Sequence, residues 1–304
     1  MRLVFEVPRE WAGHKLKNFI RSRGLSAKMW KRIKWQGVVM LNGEAIHNAN
    51  EILPIGSQVI CEWEESLDIV PADIPLSIIY EDDYLLAVNK YDHMLIHPTQ
   101  IGVYDTLVNA LAGYYEKNHI HGGIHPVYRL DRNTTGIVLI AKAAWVKYAL
   151  AKRHDLIFRE YIAVVSGHLD VTQGCINEPI GRKEGSIVEH VVRADGKSAE
   201  TEFSVIGYGD NYTVVRLHLL TGRTHQIRVH MAYLGHPLLG DTLYGGNDKI
   251  MKRQALHAES ASFIHPVSGK EFSFAAPIPD DMKYFMEGLK NEYNKKRANG
   301  FCRF

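Results

Sequence analysis

The stretch YRLDRNTTGIVLIAK, residues 128–142, sets one carboxylate, Asp131, between Arg129 and Arg132, then turns through Asn133, Thr134, Thr135 and Gly136 into an apolar run. Two readings fit. Ion pairs of this kind are common at loop ends and contribute little. Alternatively the turn presents the carboxylate to a site, because nearby cations favour the ionised form that a nucleophile or base requires. Two further stretches bear on the choice. FREYIAVVSG, residues 158–167, places Tyr161 beside Glu160 at the head of an apolar strand, where an aromatic is commonly core. LLTGRTHQIRVHMAYLGHPLLGD, residues 219–241, gathers Arg223, His225, Gln226, Arg228, His230 and His236 around a glycine turn and a helix start. A helix that opens with several donors can hold phosphate or carboxylate. If Ile227, Met231 and Leu234 face the core, Arg228 lies off that stripe and is free to meet another element.

Other chemistries lack their residues. With 16 histidines a metal site must be weighed. His119 and His121 form H-x-H, and His225 and His230 are five apart rather than the four that puts two ligands on one helical face. No Cys or acidic cluster completes either set, so no metal is expected. The chain has no G-x-x-x-x-G-K-[ST] loop, no G-x-G-x-x-G after a strand and no G-x-S-x-G elbow, which argues against a nucleotide cofactor or a serine hydrolase.

These residues must be carried by a chain of 304 residues, 46% apolar and 23% charged, which suits about two soluble domains. No window approaches the roughly 20 apolar residues of a membrane span, and the start MRLVFEVPREWAGHK lacks a signal-peptide core. A cytoplasmic protein is expected, with Cys61, Cys175 and Cys302 as reduced thiols. Net charge is only +2, but residues 9–34 hold nine Lys/Arg against Glu10 alone, while residues 62–84 hold eight acids and no Lys or Arg. The asymmetry points to an anionic partner for the N-terminal segment, nucleic acid first, with a solvated basic face as the alternative.

Along the chain, Leu16, Phe19 and Ile20 recur at helical spacing before Gly24. Ser26 reads as the N-cap of a second helix carrying Met29, Ile33 and four cations, ended by Gly37. VVMLNGEAI reads as a hairpin turning at Asn42-Gly43, and IGSQVICEW as another strand. This segment resembles the S4 RNA-binding domain, down to the GVVMLNG after its second helix, and Lys15, Lys28, Lys31, Arg32 and Lys34 are its expected RNA contacts. The expected organisation is 1–63 for this S4-like domain, 64–75 for a linker read from SLDIVPADIP, and 76–304 for a second domain. There SIIY and YLLAVNK pair as strands, TLVNALAGYY is a helix, GIVLIAK a buried strand, AAWVKYALAKRH a helix, EYIAVVSGHL and YTVVRLHLL strands, and HQIRVHMAYLG a helix ended by Gly235. Mixed elements without βαβ repetition predict an α+β fold around a largely antiparallel mixed sheet. The basic tail NEYNKKRANGFCRF reads as frayed, with RNA contact as a minor role.

Together, YRLDRNTTGIVLIAK, REYIAVVSG and LLTGRTHQIRVHMAYLGHPLLGD resemble the three characteristic stretches of the RluA/RluD-type pseudouridine synthase family. PLSIIYEDDYLLAVNK and LHAESASFIHPVSGKEFSFAAPIPDDM extend the likeness over residues 75–285, and a preceding S4 domain is a known arrangement in the family. The resemblance implies that Asp131 is the catalytic aspartate, Tyr161 the aromatic that packs on the target base and a candidate to take the proton from C5, and Arg228 the partner of Asp131. It makes Arg129, Arg132, Arg223, His225 and Gln226 RNA contacts. Three departures stand out: Tyr128 where a histidine is usual, Arg159 for a common lysine, and Tyr91-Asp92-His93 for Pro-Ala-Gly. They bear on substrate-loop geometry and target choice more than on the reaction.

That reaction breaks the N1–C1′ bond of uridine, turns the uracil and joins C5 to C1′. No atom is gained or lost, so no cofactor is implied. Hydrolytic glycosidases generally use two carboxylates, and Glu160, the one other acid in these stretches near Tyr161, would point to the opposite strand face. The implied partner is structured RNA, ribosomal RNA first and transfer RNA second, bound by a monomer. The alternatives are a non-catalytic RNA-binding or ribosome-assembly factor on the same scaffold and, more remotely, an RNA glycosidase that releases uracil.

Overall fold

A computed structural model describes residues 2–65, 67–100, 102–152 and 157–289, without the side chains of Lys28 and Lys152. The tail 291–304 with Cys302, the end of the AAWVKYALAKRH helix and the expected RNA contact through the Lys28 side chain lie outside the described residues. Among those described, no helix is long and apolar enough to cross a membrane.

The first unit comprises β1 (Arg2–Glu6), α1 (Leu16–Ser22), α2 (Ala27–Gln36), β2 (Gly37–Leu41), β3 (Glu44–Ala45) and β4 (Gln58–Trp63). The strands make one antiparallel sheet in the order β1-β4-β2-β3. The Ser26 hydroxyl accepts from the Met29 amide at 3.1 Å, which satisfies one of the open donors at the start of α2. Asn42 and Gly43 both take positive φ, the twist a two-residue hairpin requires, and they fix the register Leu41↔Glu44. Leu16, Phe19, Ile20, Met29 and Ile33 turn inward onto Val39, Val59 and Cys61. The apolar layer does not stop there. It continues into Leu85, Ala87, Ile137, Leu139, Trp145 and Val146 of the second unit, so the first unit shares one apolar layer with the back of the larger sheet and the helix that carries Trp145 and Val146.

That second unit contains β5 (Ser77–Glu81), β6 (Leu85–Lys90), α3 (Leu107–Lys117), β7 (His125–Pro126), β8 (Thr135–Ala141), α4 (Ala144–Lys152), β9 (Phe158–Ser166), β10 (Gln173–Asn177), β11 (Ile180–Arg182), β12 (His190–Val192), β13 (Glu200–Tyr208), β14 (Tyr212–Leu219), α5 (Gln226–Tyr233), β15 (Leu256–Ile264), β16 (Glu271–Ala275) and α6 (Asp280–Glu287). Ten strands form one sheet, β10-β13-β14-β9-β15-β8-β6-β5, with β16 on β15 and β7 on β8. Its pairings are antiparallel except β8 with β15. β11 and β12 form a separate hairpin.

All seven residues of β8 are buried, as a continuous apolar run covered on both faces should be. Val138 and Ile140 face Leu107, Leu111 and Tyr115, whereas Ile137 and Leu139 face Trp145, Val146 and the first unit. Gly136 is what lets β8 leave the Asp131 turn so close to β15. Its φ is +109°, and a Cβ there would lie 2.2 Å from the Ala258 carbonyl oxygen. The described residues of 64–75 form no helix or strand, but they dock on α3. Asn109 donates to Val70 O at 2.8 Å, and a Cβ on Gly113 would meet Ala72 O at 2.2 Å.

Candidate active site

The Asp131 turn is fixed through its backbone. Leu130 is buried between the exposed Arg129 and the half-exposed Asp131, which aims the carboxylate outward, and Thr134 N donates to Asp131 O at 3.1 Å. Side chains from distant elements then take the carbonyls and hydroxyls that follow. The fully buried Lys90 donates to Arg132 O at 3.0 Å and to Tyr91 O and Met94 O at 2.7 and 3.0 Å. Arg253, held bidentate by Asp281, donates to Asn133 O at 3.2 Å, and Gln254 donates to Thr134 Oγ1 at 3.3 Å. Thr135 Oγ1 meets His257 Nδ1 at 2.8 Å. An ordered carboxylate at a cleft edge requires such anchoring, because a loop's own hydrogen bonds do not fix a side chain.

His257 carries a pH dependence. Burial pushes its imidazole from 6.5 down to about 4, so the unfolded chain binds this proton first as pH falls. The group's contribution to stability is therefore complete above about pH 6.5 and is lost as pH drops towards 4, on the order of 3 kcal/mol. His257→Gln is expected to remove that slope. Urea unfolding at pH 7.5 and 4.5 should show the variant gaining on wild type by roughly 2–3 kcal/mol between them, and an unchanged gap would refute the assignment.

Arg228 reaches Asp131 from α5. Its Nη1 donates to Asp131 Oδ2 at 3.1 Å, while Nε and Nη2 donate to Asp241 Oδ2 and Oδ1 at 2.7 and 2.8 Å. The guanidinium carbon sits 4.9 Å from the centre of the Tyr244 ring. Arg228 meets another element, as expected, but it does so from a buried position, 7% exposed. The stripe itself needs correction: Ile227 and Met231 are buried, but Leu234 is 37% exposed. Gln226, Val229 and His230 are buried as well, because α5 packs against β12 and β13. A cation can occupy such a place because two carboxylates and an aromatic face replace its water.

Tyr161 projects from β9 with 3% of its surface exposed. Burial pushes its hydroxyl pKa up, Arg159 beside it pulls down, and Asp131 adds to the rise. Tyr161, Asp131 and Arg228 line one cleft of about 820 Å³ together with Leu95–His97, Tyr128, Arg129, Arg132, Arg159, Arg223 and His225. This lies within the range of small-molecule and cofactor sites. Glu160 faces the other side, against Arg216 at 3.8 Å and Ser260 Oγ at 3.2 Å, so no second carboxylate comes from β9.

Other expected RNA contacts divide. Arg129, Arg132 and Arg223 are exposed at the cleft rim, Arg132 donating to His93 O at 3.3 Å and Arg223 to Ser198 O at 2.8 Å. His225 is turned inward, with Nε2 3.9 Å from Asp131 Oδ1. The buried Gln226 is committed to Thr201, Thr221, Glu200 O and the Arg223 amide, so it holds the loop rather than meeting solvent. In the first unit Lys15 and Lys31 are exposed and the Lys34 ammonium lies 5.5 Å from the Trp35 ring. Arg32, by contrast, is tied to Glu65 at 3.1 Å and Glu64 O at 3.0 Å. Two of the departures meet each other: the Arg159 guanidinium lies 5.1 Å from the Tyr128 ring centre.

Sequence reasoning assigned no role to Asp241, Tyr244, Lys90 or Arg253. The one local signal was an acid and a tyrosine inside the glycine-rich GHPLLGDTLYGG, residues 235–246. Among the described residues no group of three or more His, Cys, Asp or Glu is arranged to hold a metal ion.

Comparison with known proteins gives this geometry a context. A family model described as RNA pseudouridylate synthase matches residues 84–233. The uncharacterized RNA pseudouridine synthase YjbO of Bacillus subtilis is 39% identical over 279 residues, covering 90% of this chain and 98% of that protein. The ribosomal large subunit pseudouridine synthase D of Escherichia coli K12 is 37% identical, with 85% of each chain covered. The solved structure of human RNA pseudouridylate synthase domain containing 1 shares the fold, with a TM-score of 0.59 at 24% identity over 75% of this chain and 95% of that one.

Proposed function

We propose, since the chain belongs to the RNA pseudouridylate synthase family, that Asp131 is the carboxylate with which this isomerase opens the glycosidic bond of a uridine in ribosomal RNA. The observation that carries the reading is the chain Asp131–Arg228–Asp241, whose outer carboxylate stands in a cleft floored by Tyr161. Arg228 takes Asp131 Oδ2 and leaves Oδ1 towards the cleft as the oxygen for C1′. Oδ1 bonds to C1′ as the N1–C1′ electrons leave with the uracil; the uracil turns, its C5 displaces the carboxylate from C1′ and restores Asp131, and the proton lost from C5 balances the one gained at N1. Tyr161 supplies a face for the extruded base, and stacking offsets part of the few kcal/mol that unstacking costs.

Ribosomal RNA is favoured as substrate by the relatives named for the large ribosomal subunit. The reading keeps an S4-like domain over 1–63, a linker over 64–75 and the catalytic domain over 76–304. The decisive experiment maps pseudouridine in total RNA from cells with and without this protein. A site lost in ribosomal RNA and regained on complementation is the expected result, and an unchanged map would overturn the assignment.

The basic helices are read as a phosphate-binding surface. Replacing Lys15, Lys31 and Lys34 together by Gln is expected to weaken RNA binding and lower the salt slope of log K by up to about three, since each phosphate contact contributes about one. The turnover number at saturating RNA should stay within about twofold. Filter binding across a salt series checks this, and an unaltered slope would place the RNA elsewhere.

A further inference from the structure

The oxygen of Asp131 that Arg228 leaves open is faced by a second group whose proton position can be derived. Tyr244 Oη accepts a hydrogen bond from the His190 backbone amide at 3.0 Å and lies 2.8 Å from His225 Nδ1. An amide nitrogen can only donate, so the phenol proton remains to be placed. Among the described residues His225 Nδ1 is the acceptor recorded for it. A nitrogen that accepts a proton carries none of its own, which leaves the neutral imidazole protonated at Nε2. That nitrogen points at Asp131 Oδ1 from 3.9 Å. The negative carboxylate favours the same tautomer. His225 itself sits in the left-handed region at φ 56° and ψ 20°, a conformation uncommon outside glycine, with its ring between Tyr244 and Asp131.

We propose that Tyr244 is a positioning residue that fixes His225 as an Nε2–H donor, directed at the oxygen of Asp131 that Arg228 leaves open. The inference rests on the reading of Asp131 as the catalytic carboxylate. At 3.9 Å the donor does not yet bond to Oδ1; it closes on the oxygen when substrate tightens the cleft. Tyr244 serves both partners of Asp131, because its ring also supports the Arg228 guanidinium. The charged and titratable groups facing His225 are Asp131 from the turn, Arg228 from α5, His190 from β12, and Asp241 and Tyr244 from the segment that follows α5. Burial sets its pKa below the usual imidazole range, so the neutral donor is the working form at neutral pH.

Nitrogen-15 spectra of the histidine rings, with His225→Gln to assign the signal, should show His225 protonated at Nε2 alone, and Tyr244→Phe should shift it to a tautomer mixture. On the RNA segment identified by mapping, Tyr244→Phe and His225→Leu should each lower kcat by at least about tenfold with KM within about twofold, and the double variant should be no slower than the worse single. His225→Gln, whose amide can donate from nearly the same place, should recover most of the rate and remove the imidazole's share of the acidic limb of the pH profile. A wild-type ring protonated at Nδ1, or single losses that multiply in the double variant, overturns the proposal. Activity retained by Asp131→Asn would instead overturn the reading beneath it.

Discussion

Asp131→Asn is expected to lower pseudouridine formation by at least about four orders of magnitude while leaving the fold and RNA affinity almost intact. The amide fills the same volume but offers no anionic oxygen for C1′, and losing a nucleophile typically costs this much or more. The fold around the site has other supports. Arg228 keeps its bidentate pair with Asp241, and the turn is held by Lys90, Arg253, Gln254 and His257 through groups outside the Asp131 side chain. Binding at the rim through Arg129, Arg132 and Arg223 is likewise untouched. Asp131→Glu should fail as well, losing at least about a hundredfold, because one more methylene carries the carboxylate about 1 Å past its place against Arg228. Single-turnover assays with the mapped RNA, beside filter binding, separate chemistry from affinity. More than about one per cent of wild-type turnover in Asp131→Asn would remove the carboxylate from the mechanism.

How much of this was legible in the sequence depended on the range of the interaction. The Ser26 cap, the Asn42-Gly43 turn and the uninterrupted burial of β8 are set by neighbours within a few residues, and the pattern named them correctly. The pairing of Asp131 with Arg228 spans 97 positions and entered by resemblance, not by spacing. Helical periodicity misplaced Leu234 and gave no sign that Arg228 would be buried, because a stripe presumes one buried face, whereas six of the eight residues of α5 are buried. Gln226 reads as an RNA contact because its type suits that role, yet Thr201 and the Glu200 carbonyl use it inside the fold, while the partly exposed Arg32 is also tied to Glu65. Composition shows what a side chain can bind; topology decides what it meets first. Asp241 was hidden for the same reason, since a single aspartate between glycines carries no sign of a guanidinium folded back onto it.

Asp241→Ala is therefore expected to do the greatest structural harm of any single change at the site, destabilising the protein by about 3–5 kcal/mol. The variant leaves the Arg228 guanidinium in the interior with two of its three recorded carboxylate hydrogen bonds gone. A buried charge stripped of most of its partners costs far more than the pair contributes, and a loss of this size is a large share of a typical domain's stability. Freed from Asp241, Arg228 no longer holds Asp131 Oδ2 in one place, so turnover should fall even in the molecules that remain folded. The double replacement Arg228→Leu/Asp241→Leu separates the two effects. It removes charge and partner together, so urea unfolding should show most of the lost stability restored, as when other buried ion pairs give way to apolar groups of similar volume. Pseudouridine formation should not return, because Asp131 then has no guanidinium to hold Oδ2. Recovery of both would mean that the pair is scaffolding alone; recovery of neither would mean that Asp241 acts through contacts other than Arg228.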